Sequence, residues 1–178
     1  MKKTLTLIFL VIATIGLTYA LVNYIKMDGF AFAWALNFLL MLCVSMFIEA
    51  LKSQLSSSYF DKKDWEQKGK IYEILGVNLF RKLLVVIGWE KLNKKNNPVK
   101  NNAQDLINLH HQTKKSELGH LIVLIIVAGF NVYVALKFGI IKSLSLLVLN
   151  VILNLYPVIL QRYNRPRIER AIRLSKRR

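Results

Sequence analysis

Four long apolar blocks govern what this chain can fold into. They run over residues 5–24, 30–51, 118–136 and 141–160. Each approaches the roughly 20 residues that a helix needs to cross the hydrocarbon core of a bilayer. No water reaches the backbone there, so a spanning segment must satisfy its own N–H and C=O groups and is read as an α-helix. Only Ile25-Lys26-Met27-Asp28-Gly29 separates the first two blocks, and only Lys137-Phe138-Gly139-Ile140 the last two. Links that short predict antiparallel pairs. The expected fold is an all-α integral membrane protein with four transmembrane helices in two hairpins. A cytoplasmic or interfacial helical segment (52–117) lies between the hairpins, and a basic tail (161–178) follows them. On this reading residues 1–178 form a single membrane domain.

Charge sets the expected orientation. The formal net charge is +16, and a soluble domain that basic ordinarily binds nucleic acid. Here 54% of the residues are hydrophobic and gathered in blocks, which argues for a bilayer and against a nucleic-acid partner. The middle segment carries 13 Lys and Arg against 7 Asp and Glu, and the tail carries 8 against 1. The two short links hold few cations. By the positive-inside rule both termini and the middle segment are expected in the cytoplasm. A cleaved leader ending near Thr18-Tyr19-Ala20 is the competing reading of the first block. The apolar run continues through Leu21 and Val22 to Tyr24, which favours a retained span. The single cysteine, Cys43, allows neither an intrachain disulfide nor a multi-Cys metal site.

In the middle segment, Leu75, Leu79, Phe80, Leu83, Leu84 and Ile87 recur at helical spacing, with Arg81, Lys82 and Lys91 nearby. This is the pattern of a helix lying in the membrane surface, its cations toward anionic lipid headgroups. A small cytoplasmic core over the helix ends is the alternative. Gly69, Gly76 and Gly88 divide the segment into short helices. Lys94-Lys95-Asn96-Asn97-Pro98 reads as a loop, and a new helix is expected from Asn102, continuous from Ala103 to Leu136.

Glu117 and His120 lie three residues apart and so share a helix face. An ionisable pair at the edge of a span is costly unless it is paired or lines a cavity. A carboxylate on one imidazole nitrogen would leave the other free to take a proton from an alcohol. The bland alternative is that both mark a helix end in the headgroup region. His110 is ten residues from His120, about 15 Å along a helix, too far to share one ion, so no metal site is expected. Asn131 and Asn150 read as interhelical hydrogen-bonding groups. Asn154 sits two turns before Arg162, and Pro157 is expected to kink the last span there and open a cavity.

The fourth block runs directly into Gln161-Arg162-Tyr163-Asn164-Arg165-Pro166-Arg167. An arginine fork binds carboxylate or phosphate at two points, although such a cluster also serves as a plain positive-inside flank. The second hairpin would bring Glu117, His120 and these arginines to one depth. A proton acceptor beside an arginine cluster suits a lipid-soluble acceptor and a soluble anionic donor.

Thr113-Lys114-Lys115-x-Glu117-Leu118-x-His120, together with the segment from Gln161 to Arg167, resembles the glycosyl-4,4′-diaponeurosporenoate acyltransferase family. The likeness extends over Asn154 to Arg178 and, more weakly, to Trp65, Gly69, Tyr72 and Gly76-Val77. Gln112 stands where the family pattern has an acid. The resemblance implies a multi-pass protein of the bacterial cell (inner) membrane. Such a protein esterifies a sugar hydroxyl of a glycosylated carotenoid, or of a related membrane glycolipid, with a fatty acyl chain. It implies His120 and Glu117 as catalytic residues and no cofactor, with acyl-coenzyme A as co-substrate and acyl donor. Arg162, Tyr163, Asn164, Arg165, Arg167, Asn154, Gln161, Trp65 and Tyr72 are then the expected binding residues. Two other classes compete. A small lipid methyltransferase would show itself by bound S-adenosylmethionine, and a non-catalytic membrane scaffold by tolerance of change at Glu117 and His120.

Overall fold

The computed structural model describes residues 2–89, 91 and 103–177, and all regular structure among them is helical. The expected loop Lys94-Lys95-Asn96-Asn97-Pro98 and the expected helix start at Asn102 lie outside the described residues. Helices α1 (Lys2–Tyr24) and α2 (Phe30–Leu51) come first. Two 3₁₀ segments follow, Ser58–Phe60 and Asp64–Gly69, then the short helices α3 (Lys70–Ile74) and α4 (Val77–Val86). Helix α5 (Ala103–Phe138) is continuous, as its unbroken pattern predicts. Helix α6 (Ile140–Asn150) passes through a π-helical stretch, Val151–Leu155, into α7 (Tyr156–Ser175). Helices α1, α2, α5 and the run Ile140–Ser175 are long and apolar enough to cross a membrane.

The chain forms two compact units. The first comprises Met1–Ser53 and Leu118–Pro157, the second Gln54–Glu117 and Val158–Arg178.

In the first unit α1 packs on α2, and α2 on α6. The inward face of α2 reads Phe32, Leu36, Leu40, Val44 and Ile48, a helical repeat that meets Val123, Val127 and Val134 of α5 and Leu146 of α6. Helix α1 buries no residue, and Leu5, Phe9, Ile12 and Ile15 are each more than half exposed. In a bilayer that exposure carries no penalty, because lipid tails are as apolar as leucine; polar groups and close packing must tie the helices together. Asn131 Nδ2 donates to the Ser143 carbonyl at 2.7 Å, and Asn150 Nδ2 to the Leu124 carbonyl at 3.0 Å. Lys142 Nζ reaches Asp28 at 2.7 Å.

The second unit has its own core of Tyr72, Val77 and Tyr163, with Ile71, Ile159 and Leu160 against it. Gly69 and Gly76, at φ 96° and 83°, turn the chain into α3 and α4 through a left-handed geometry that other residues adopt only at a cost. Helix α4 buries Val77 and Phe80. Leu79, Leu83, Val86 and the following Ile87 are exposed, and Leu79, Leu83 and Val86 form an apolar stripe at helical spacing.

Candidate functional site

In the first unit the site is an amide network that ends on His120. Asn37 Nδ2 donates to the Ala33 carbonyl at 2.8 Å, and Asn150 Nδ2 to the Leu124 carbonyl. Carbonyls only accept, so these two contacts fix both amides with their oxygens outward. Those oxygens take the two N–H bonds of Asn154, at 2.6 Å from Asn37 and 2.8 Å from Asn150. Asn154 is thereby forced to present its own Oδ1, which lies 3.4 Å from His120 Nδ1. An amide oxygen cannot donate, so in the neutral imidazole the proton of this pair sits on Nδ1.

The π-helical stretch contributes as well. Pro157 has no N–H to offer the Leu153 carbonyl four residues back, so the regular α-helical ladder is interrupted there. The irregularity expected from Pro157 therefore takes the form of a π turn carrying Asn154. Such single-turn insertions recur at functional sites.

In the second unit the arginines of α7 are buried in an ion network. Glu117 is fully buried. Its Oε1 accepts from Arg162 Nε at 2.7 Å, and its Oε2 accepts from Arg165 Nη2. Arg162 Nη1 donates to Glu66 Oε1 at 2.6 Å, and its Nη2 to the Tyr59 carbonyl at 3.0 Å. Arg165 Nη1 donates to the Phe60 carbonyl at 3.1 Å. The rings of Tyr59 and Phe60 lie under the two guanidinium groups, with centroids 4.6 and 5.6 Å away. Two arginines and two carboxylates cancel in charge, the condition under which buried ions are tolerated.

Glu66 does two further things. Its Oε2 accepts from the Lys63 backbone N–H at 3.1 Å, capping the 3₁₀ segment, and its Oε1 accepts from Tyr72 Oη at 2.7 Å. Burial pushes the Glu66 carboxyl up, but hydrogen bonds from Tyr72, Lys63 and Arg162 outweigh it and hold the group below its ordinary value. Burial and the Glu66 carboxylate push the Tyr72 phenol well up.

The expected site residues therefore divide. Glu117 gives both carboxylate oxygens to arginines, and His120 takes Asn154 as its side-chain partner. Arg162 and Arg165 are committed to Glu117 and Glu66. Arg167 stacks on the Tyr163 ring, 3.5 Å from its centroid, and reaches Glu73 at 3.1 Å. Tyr163 and Tyr72 are core residues, whereas Trp65 is exposed, its ring edge-on to Tyr72. Gln161 Nε2 bonds Ser116 Oγ at 3.1 Å, and Asn164 is half-buried.

Asn37 and Glu66 belong to these networks and were not singled out from sequence. A lone amide inside an apolar span was the available signal for Asn37. For Glu66 it was an acid at the third position of a helical turn. The carbonyls of Tyr59 and Phe60 left no signal, because any residue type supplies one.

No curated protein and no solved structure matches this chain. The stretch that holds both the buried ion network and His120 does match a family: over residues 56–174 the chain fits the glycosyl-4,4′-diaponeurosporenoate acyltransferases, and it belongs to that family.

Proposed function

We propose that the protein is a membrane O-acyltransferase. It esterifies a sugar hydroxyl of a glycosylated carotenoid, or of a related glycolipid, with a fatty acyl chain from acyl-coenzyme A. The family match over residues 56–174 carries this reading. In the proposed reaction His120 Nε2 takes the hydroxyl proton, with Nδ1–H held by Asn154. The alkoxide oxygen bonds to the acyl carbonyl carbon, the carbon–sulfur bond breaks, and the departing thiolate takes up a proton. Glu117 acts as a positioning residue that fixes Arg162 and Arg165. The setting is the bacterial inner membrane, with the four spans in two hairpins, both termini cytoplasmic, and the apolar stripe of α4 in the lipid interface.

Lipid mass spectrometry tests the reading. Membranes containing wild type, supplied with acyl-coenzyme A and a glycosylated carotenoid or simple glycolipid, should gain a product one fatty acyl chain heavier. His120→Ala should lower its formation at least about a hundredfold in a variant that still folds. Equal turnover in the folded variant would remove His120 from the mechanism. No product from wild type on any acceptor would sink acyl transfer.

A further inference from the structure

The second unit contains a cleft of about 960 Å³, within the size range of small-molecule sites. Lys62, Lys63, Lys70, Arg167, Arg170 and Arg173 line it. Against these six cations stand two carboxylates, Asp64 and Glu66, and Glu66 is already bonded to Arg162 and Tyr72. Lys62 pairs with Glu169, Lys63 Nζ bonds the Ser58 carbonyl, and Arg167 reaches Glu73. Lys70, Arg170 and Arg173 make no hydrogen bond or ion pair among the described residues, and all three are exposed.

Arg167, Arg170 and Arg173 recur every three residues on one face of α7, where like charges repel. The helix dipole favours a cation in the last turn, which accounts for Arg173 alone. A concave wall with this excess of positive charge focuses field on its interior and raises the local concentration of anions. Arg167 is fixed in advance by its stacking on Tyr163 and its bond to Glu73, so little ordering is needed when a ligand arrives.

We infer that this cleft binds a ligand carrying several phosphate groups, of the adenosine bisphosphate type found in coenzyme A. Arg167, Arg170 and Lys70 are its principal contacts. Multiple phosphates match the charge excess better than a single one, and Gln67 on the cleft wall offers hydrogen bonds to a base or sugar. The inference builds on the proposed acyl transfer by placing the donor's polar end, apart from Arg162 and Arg165.

The test uses the full chain in phosphatidylcholine nanodiscs and titrates adenosine 3′,5′-bisphosphate by calorimetry. Binding to wild type is expected. Arg170→Gln/Arg173→Gln should weaken it at least about tenfold, the loss of a charge-assisted hydrogen bond. Lys70→Gln, on a different element, should weaken it as well and serves as the second variant if the first loses helicity. Absent binding, or binding that neither variant alters, would overturn the site. A parallel arm uses phosphatidylglycerol vesicles. If the cleft variants weaken vesicle association while the bisphosphate does not bind, the cleft holds lipid headgroups and the donor assignment is wrong. Bisphosphate binding without acyl product would retain the cleft and reject acyl transfer. Acyl product without bisphosphate binding would do the reverse.

Discussion

At the scale of single residues, Glu117 and His120 carry different loads although three positions apart. His120 sits at the end of an amide relay whose direction two backbone carbonyls dictate, so it is held in one tautomer by neutral groups. Glu117, itself fully buried, holds two guanidinium groups. Glu117→Gln keeps the shape but leaves two buried arginines with only Glu66 to balance them. Breaking a buried pair in this way costs about 3–5 kcal/mol. Thermal unfolding in detergent should show that loss for Glu117→Gln and a smaller one, about 1–3 kcal/mol, for His120→Ala, which leaves the buried Asn154 oxygen without its partner. Equal stabilities for Glu117→Gln and wild type would mean that the network is hydrated and open. Spacing alone put both residues on one face and suggested that they pair. It gave no hint that Arg162 and Arg165 would claim the carboxylate first, because ion pairs over 45 and 48 residues of separation leave no periodicity to read.

At the scale of elements, the 3₁₀ segment Asp64–Gly69 depends on one carboxylate. Glu66 caps the Lys63 N–H, anchors Tyr72 and pairs with Arg162. Its pKa in the folded protein lies below the ordinary 4.5. A depressed carboxyl contributes stability that is complete above the unfolded pKa and is lost as pH falls through the folded one. Wild type should therefore lose thermal stability progressively below pH 4.5. Glu66→Gln should start less stable at neutral pH and change less over that acid range. Parallel curves for the two proteins would deny Glu66 this role. The helices themselves were legible because their signal is local: apolar blocks for α1, α2 and α5, and glycines at the starts of α3 and α4. The π turn was not legible in advance. Pro157 predicts only that a carbonyl loses its donor, and both a kink and an inserted residue are compatible with that loss.

At the scale of the whole molecule, charge and apolar length act together. Four helices long and apolar enough to cross a membrane, with two short, nearly neutral links among them, leave most cations on the segments 52–117 and 161–178. The orientation proposed from that imbalance is independent of any site geometry, so it can fail while the chemistry survives. Cys43 is buried and is the chain's one thiol, which makes labelling clean. Lys26, in the link between α1 and α2, and Ser56, after α2, are both exposed. In a Cys43→Ala background, Lys26→Cys should react with a membrane-impermeant maleimide on intact cells. Ser56→Cys should react only after the membrane is opened. The opposite pattern would invert the topology and turn the second unit, with its basic cleft, away from the compartment that holds coenzyme A thioesters. Labelling of both positions from outside would mean that α2 does not cross the bilayer, a result its 22 apolar-rich residues and self-satisfied backbone argue against.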